Sequence, residues 1–211
     1  MFARFWPSRW YLGRWSLGTV RQWHWISSAI CLIGMLLFAL TGVTLNHAAT
    51  IPASISTEEI EAELPVPLLQ ALEIPTAAQS RLPKALRHWL DTNLSLYIPA
   101  SVRGEWSEDE LYVALPGPGE DAWMSLDLQT GELIYERTSR GWIAYLNDLH
   151  KGRDTGVVWS WFIDVFAIAC AVFCLSGLLL LYRHSRQRPS TWPMVGLGLV
   201  IPLVLIILFV H

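Results

Sequence analysis

Three long apolar segments divide this chain of 211 residues. The first two contain a single charged side chain between them, Asp164 in the second, and the third contains none. A bilayer core about 30 Å thick needs roughly 20 apolar residues of helix, so the pattern predicts three transmembrane helices. The first segment exceeds the apolar core of about 7–15 residues of a cleaved signal peptide, and Pro202 is expected to kink the third. The predicted helices cover residues 23–47, 157–182 and 192–211.

The polar stretch between the first two helices, residues 48–156, is long enough for one small domain. Its beginning, as far as Pro75, contains four prolines and is predicted to be irregular or partly helical. Residues 77–93 show helical spacing of apolar positions. Three later segments alternate as strands do: residues 95–106, 110–117 and 121–138. The fold class is therefore a membrane protein of three transmembrane α-helices with a small α+β domain between helices 1 and 2.

The charge distribution predicts the orientation. Residues 1–22 carry four arginines and no acid, and the loop 183–191 carries three more arginines. Residues 48–156 instead carry 17 acidic residues against 8 basic ones. Short arginine-rich segments stay in the cytoplasm, so these two segments are expected inside and the α+β domain is expected in the periplasm. We expect membrane lipid around the helices and no nucleic-acid partner.

Four of the six histidines bracket the first two apolar segments: His24, His47, His150 and His184. If the two helices are antiparallel, His24 is level with His184 and His47 is level with His150. Two facing imidazoles are what bis-histidine haem ligation needs, and helix bundles hold such cofactors. A histidine at a membrane interface is otherwise an ordinary amphipathic residue, and both interpretations stay open at this point.

The spacing of the histidines constrains a haem model. His24 and His47 lie about 35 Å apart along an ideal helix, so two haems would be distant, and a homodimer is one way to bridge them. A continuous helix from His150 to His184 would overshoot the bilayer, and a bend is expected at residues 151–156. The small residues on the two helices either make room for a macrocycle or allow the helices to pack closely. They are Ser27, Gly34 and Thr41 on the first helix, and Ala169 and Ser176 on the second.

Asp164 lies about 10 Å into the second predicted helix. An acid inside a membrane is a functional candidate, and it could carry protons, bond a ligand or mark a quinol pocket. The sequence contains no C-x-x-C-H for covalent haem and no dinucleotide or P-loop fingerprint. The three cysteines give no disulfide framework. Electrons would therefore enter from a quinol or a redox partner protein.

Several segments resemble the PepSY-associated transmembrane family, most closely its short single-unit branch. "RQWHWISSAICLIGMLLFALTGVTLNH" is similar to the first helix of that family, and "MSLDLQTGELI" to the Asp-x-x-Thr-Gly turn of the PepSY fold. "LNDLHKGRDTG", "WSWFIDVFAIA" and "LSGLLLLYRH" are similar to its second membrane block. The resemblance implies a bacterial inner-membrane protein with a periplasmic PepSY-like domain.

The same resemblance implies a haem site. Some larger members are haem-b reductases that release iron from ferric siderophores, and their ligating histidines match His24, His47, His150 and His184. Other PepSY-bearing proteins have been linked to protease inhibition or envelope assembly, which implies a function without haem.

Three functions follow as expectations. The first is a haem-b protein with one or two haems that passes electrons through His24 and His184 to His47 and His150. Its acceptor would be a ferric chelate or a periplasmic protein, which would make it a ferric-chelate reductase or an electron-transfer subunit. The second is a haem-free anchor whose periplasmic domain binds an envelope partner. The third is a metal-site protein that uses His47, His150 and His211.

Overall fold

A computed structural model describes residues 18–210. The chain forms two compact units, one containing the residues up to Met35 and from Asp164 onward, the other containing Leu36–Ile163. The helices are α1 (Val20–Asn46), α2 (Val66–Gln70), α3 (Lys84–Leu94), α4 (Trp142–Lys151), α5 (Gly156–His184) and α6 (Thr191–Phe209). The strands are β1 (Ser56–Glu63), β2 (Gln79–Arg81), β3 (Arg103–Trp106), β4 (Glu110–Ala114), β5 (Glu120–Asp127) and β6 (Glu132–Ser139).

Among the described residues, α1, α5 and α6 are long and apolar enough to cross a membrane, which confirms the three predicted spans. Their apolar surfaces have almost no protein cover. Only Ser27 and Cys31 in α1 and Ser176 in α5 are buried, and no residue of α6 is. Exposed apolar surfaces of this extent are typical of helices that contact lipid. Pro202 stands inside α6, and the helix continues on both sides of it.

The segment between α1 and α5 contains a six-stranded antiparallel sheet in the order β1-β6-β5-β4-β3-β2. Alternate residues of β4 and β5 are buried, as the period of two requires. Helix α3 adds Leu86 and Leu90 to the same core. Burying one such leucine contributes about 1.5–3 kcal/mol, so this core stabilises the domain. Its largest fully buried side chains are Leu64, Leu86, Leu90, Leu111, Val113, Met124, Leu126 and Leu133.

Two parts of the predicted domain are only partly right. The segment before Pro75 is helical at α2, as predicted, but it also contains strand β1, which pairs with β6 along its whole length. Its sequence STEEIEAE has few apolar residues because it is an edge strand with most side chains in solvent. The predicted helix over 77–93 is in part strand β2, and α3 begins only after Pro83, which has no N–H to give to a helix. The sheet therefore has more strands than the sequence indicated.

The turn between β5 and β6 lies where the resemblance to the Asp-x-x-Thr-Gly turn places it, and one side chain holds it. Asp127 Oδ1 accepts hydrogen bonds from the backbone N–H of Gln129 and of Thr130, each at 2.7 Å. These N–H groups, Thr130 first, hold the pKa of Asp127 below its ordinary value because they stabilise the carboxylate. Gly131 follows at φ 83°, a conformation that glycine adopts without strain.

The predicted bend between His150 and the second span is confirmed. Helix α4 ends at Lys151, and α5 begins at Gly156. Three residues in this link have positive φ: Gly152 at 70°, Asp154 at 55° and Gly156 at 79°. The left-handed conformation ends one helix and redirects the chain, so His150 lies on a separate short helix.

Candidate functional site

His24 lies half-buried on α1 against a turn of α5. Its Nδ1 is 3.1 Å from the hydroxyl of Ser176 and 3.3 Å from the carbonyl oxygen of Phe173. The Ser176 hydroxyl donates its hydrogen to that carbonyl at 3.0 Å, so its oxygen is left as an acceptor. The His24 ring therefore carries its hydrogen at Nδ1 and has a free lone pair at Nε2. Stacking on the Phe173 ring at 4.8 Å fixes its plane.

His184 is the last residue of α5 and is exposed. Its Nδ1 donates to the carbonyl oxygen of Leu180 at 2.8 Å, which again leaves Nε2 with its lone pair. His24 and His184 line one cleft of about 530 Å³, together with Gly177, Arg188 and others. This volume falls within the roughly 300–1,000 Å³ of small-molecule sites. A Cβ at Gly177 would lie 3.3 Å from Cε1 of His24, so the glycine makes room for the ring.

The two histidines of this pair are not level as the sequence suggested. A Cβ added at Gly34 of α1 would lie 2.3 Å from the ring of Phe166 of α5. His24, earlier on α1, contacts Phe173 and Ser176, which come later on α5. Because the contacted residues of α5 fall in number as the residues of α1 rise, the two helices are antiparallel here. This register sets His24 about two turns of α5 before His184. Both side chains line the same cleft, although they lie at different heights along α5.

His150 lies half-buried against the C-terminal part of α1. Its Nδ1 is 2.6 Å from the hydroxyl of Thr41. That hydroxyl also lies 3.0 and 3.1 Å from the carbonyl oxygens of Leu37 and Phe38. When it donates its hydrogen to one of these carbonyls, it accepts from the imidazole. The Phe38 ring is 4.9 Å away, and Nε2 is the nitrogen left unbonded.

One further hydrogen bond joins α4 to α1. The hydroxyl of Thr44 donates to Oδ1 of the buried Asn147 at 2.8 Å. Thr44 and Asn147 each lie one turn from the Thr41 and His150 contact. Two parallel contacts on one helix face restrict rotation of α4, and so they orient the His150 ring.

His47 is exposed just beyond α1, and its Nδ1 donates to the carbonyl oxygen of Val43 at 2.9 Å. Thr41, the partner of His150, lies about one and a half turns earlier on the helix. No hydrogen bond or ring contact between His47 and His150 is found within residues 18–210. Ligation by this second pair stays a prediction.

All four candidate histidines share one pattern of contacts. Each has its Nδ1 on a protein oxygen, and within the described chain no hydrogen bond to any Nε2 is found. A hydrogen-bond acceptor at one ring nitrogen is typical of metal-ligating histidine, because it fixes the tautomer and raises the basicity of the other nitrogen. Sequence reasoning treated Ser176 and Thr41 only as small residues and missed them as acceptors. Their hydroxyls in an apolar segment were the available signal.

Asp148, two residues before His150, ties α4 to the sheet domain. Its side chain is 4% exposed, and its Oδ2 accepts three hydrogen bonds. The donors are the Gly119 N–H at 2.9 Å, Arg153 at 3.0 Å and Arg140 at 3.1 Å. The carboxylate thus joins a β-turn, the end of β6 and the end of α4.

The remaining candidate residues show no such assembly. Asp164 is exposed on α5, and no hydrogen bond or ion pair to it is found in the described part of the chain. Cys31, Cys170 and Cys174 are free thiols. No group of three or more His, Cys, Asp or Glu side chains within residues 18–210 is placed to hold a metal ion. His211 of the predicted outer metal site lies outside the described residues.

Comparison with known proteins identifies the family. The model of the PepSY_TM-like family matches residues 15–211, which include the three apolar helices, the sheet domain and all four histidines. No curated protein and no solved structure matches the chain. The match extends over nearly the whole sequence and agrees with the order of elements in the structure. The chain belongs to the PepSY_TM-like family.

Proposed function

We propose that this protein is a haem-b electron carrier of the bacterial inner membrane. The observation that carries the proposal is the shared state of His24, His47, His150 and His184, each with Nδ1 hydrogen-bonded and Nε2 free. The arginines outside the spans favour a cytoplasmic N-terminus and a periplasmic sheet domain. Electrons would then move from the cytoplasmic side toward the periplasm.

His24 and His184 fit a haem best. They line one cleft of about 530 Å³, and Gly177 keeps that cleft open beside the His24 ring. Arg188 and Thr191 line the same cleft and offer donors for the two carboxylates of haem b. Iron held by two imidazoles supplies one-electron transfer. The chain's own part is to orient the ligands: Ser176 positions one ring, and the α5 carbonyl of residue 180 positions the other.

His47 and His150 form a less complete second site. Thr41 holds His150 firmly at 2.6 Å, but His47 is exposed and bonded only to its own helix. A haem here would draw the exposed His47 ring toward His150. Two haems per chain would complete a path from a quinol or a redox partner to the periplasmic acceptor. A ferric chelate such as a ferric siderophore, or a partner protein, fits that acceptor.

The test is the absorbance spectrum of the detergent-purified protein, reduced minus oxidised, with a haem-to-protein ratio. Ratios near one or two separate a single histidine pair from both. His24→Ala should remove the first haem, and His150→Ala the second. His88→Ala is the matched control, because His88 is exposed on α3 outside both pairs. A protein that stays colourless when expressed with added haem precursor would refute the carrier function.

A haem-free interaction module is the second candidate, and the edge strand β1 favours it. β1 is the first strand of the sheet order, so within residues 18–210 one of its sides has no strand beside it. An open edge can accept a strand from a partner protein. If this candidate holds, a chain in which alanine replaces all four bracketing histidines keeps the cellular function of the protein in a complementation assay. Glu59→Pro, in β1, abolishes that function.

A further inference from the structure

A second cleft lies in the unit that contains the sheet domain, and the electron path does not use it. It has a volume of about 510 Å³ and opens between helix α4 and residues 48–54, which follow α1. Its lining includes Pro52, Ser54, Trp142 and Ile143, besides a set of charged residues. None of the four candidate histidines lines it.

The charged lining is mainly basic. Arg140, Lys151 and Arg153 face one acid, Asp148. The carboxylate of Asp148 is already occupied by both guanidinium groups, at 3.1 and 3.0 Å. The walls of the cleft therefore carry a net positive charge, although the domain around them is strongly acidic.

Two acids outside the cleft reduce this charge only in part. Asp121 lies 3.4 Å from Arg140 and is 61% exposed, and Asp154 lies 3.6 Å from Arg153 and is 32% exposed. Water screens such surface pairs strongly. Lys151 has no carboxylate within 4 Å in the described part of the chain.

Unused hydrogen-bond donors also face this region. Helix α4 begins in the cleft at Gly141, and no side chain caps its first turn. The N–H groups at the start of a helix attract anions. The Nε of Arg140 is buried and has no hydrogen-bond partner among the described residues. The N–H groups of the first turn therefore add to the positive potential at the Gly141 end of the cleft.

The residues that line the cleft are close in sequence to the ends of the two membrane helices. Its lining begins at Ala48, two residues after α1 ends at Asn46. Its last member, Arg153, lies three residues before Gly156, where α5 begins. Trp142 is 70% exposed, and tryptophan is enriched where membrane and water meet. Both observations favour a position of the cleft near the lipid headgroups.

We propose that this cleft binds a phosphate oxyanion, supplied by the headgroup of an anionic membrane lipid. Lys151 and Arg153, at the opposite end of α4 from Gly141, attract and contact the phosphate group. The apolar wall of Trp142 and Ile143 lies beside the glycerol and upper acyl chain. A soluble phosphate has the same oxyanion chemistry, and the experiment separates the two sources.

The test uses the full-length protein in a neutral detergent and native mass spectrometry. Phosphatidylglycerol and the zwitterionic phosphatidylethanolamine are titrated in parallel, with and without millimolar inorganic phosphate. Lys151→Gln should weaken phosphatidylglycerol binding about fivefold, the usual contribution of one basic residue near an anionic membrane surface. Lys84→Gln removes the same charge from exposed α3, outside the cleft, and is the matched control.

Each outcome is decisive. Loss of phosphatidylglycerol binding in Lys151→Gln alone, with phosphatidylethanolamine unaffected, supports the lipid site. If the wild-type chain binds inorganic phosphate and Lys151→Gln does not, but phosphatidylglycerol binds no better than phosphatidylethanolamine, the cleft is an oxyanion site with a soluble occupant and the lipid proposal is overturned. Equal lipid binding by the wild type and both variants, with no effect of phosphate, would overturn the proposal. None of these readouts depends on haem.

Discussion

Asp148→Asn tests whether one buried carboxylate fixes α4, and with it His150, to the sheet domain. Asparagine keeps the shape of the side chain but removes the charge that two arginines share. Breaking a fully buried ion pair costs about 3–5 kcal/mol. Here the side chains of Arg140 and Arg153 are 29% and 44% exposed, so water replaces part of the lost interaction. We therefore expect a loss of about 2 kcal/mol in the free energy of unfolding.

The assay is thermal unfolding of the full chain at fixed protein and detergent concentrations, followed by tryptophan fluorescence. For a chain of this size, 1 kcal/mol corresponds to about 2–4 °C in Tm, so the expected decrease is about 4–8 °C. Asp121→Asn is the control, because Asp121 pairs with the same Arg140 at 3.4 Å but is 61% exposed. It should lower the free energy of unfolding by no more than about 1 kcal/mol. Equal decreases in the two variants would refute the assignment of the buried contact.

Three further predictions concern packing, proton binding and ligand orientation. Gly34→Ala should lower Tm, because the added Cβ would lie 2.3 Å from a phenylalanine ring and such overpacking costs about 1–3 kcal/mol. Gly196→Ala is the control and should not lower Tm, because nothing lies within 4 Å of the added Cβ. Equal decreases in Tm for the two variants would contradict the packing at Gly34. The carboxyl of Asp127 should titrate below an unfolded aspartate in NMR, because its pKa is lowered. Its contribution to stability is present above the unfolded pKa, about 3.9, is lost as pH falls through the lower folded value, and should be absent in Asp127→Asn. Ser176→Ala should weaken haem binding about 10–100-fold in a haem titration, whereas Ser176→Thr, which keeps the hydroxyl, should bind haem as the wild type does. Unchanged haem binding in Ser176→Ala would show that this hydroxyl does not orient the His24 ring.

The sequence predicted best what depends on local pattern. Apolar runs of membrane length gave all three spans, because twenty consecutive apolar residues have few other structures. Gly152 and Gly156 indicated the break before α5, since glycine reaches positive φ without strain. The β5–β6 hairpin followed from alternation around a DLQTG turn.

What depends on pairing between distant segments was not predictable from pattern. β1 is stabilised as a strand by its partner β6 rather than by its own residues. Its four glutamates made the sequence look like an irregular segment. The position of His24 along α5 depends on how the two helices are aligned, and the packing of the Phe166 ring against Gly34 sets that alignment. The hydroxyl partners of His24 and His150 follow from that register, so they became visible only in three dimensions.

The two edges of the sheet also bear on how densely this protein can populate a membrane. Proteins confined to a bilayer meet repeatedly in similar orientations, which favours end-to-end joining of open sheets into polymers. β1 presents four glutamates along one edge, and β2, at the other, spans only three residues. Like charges oppose β1–β1 joining, and so short a strand offers few hydrogen bonds to a neighbour. Both edges therefore oppose the joining of crowded copies into polymers.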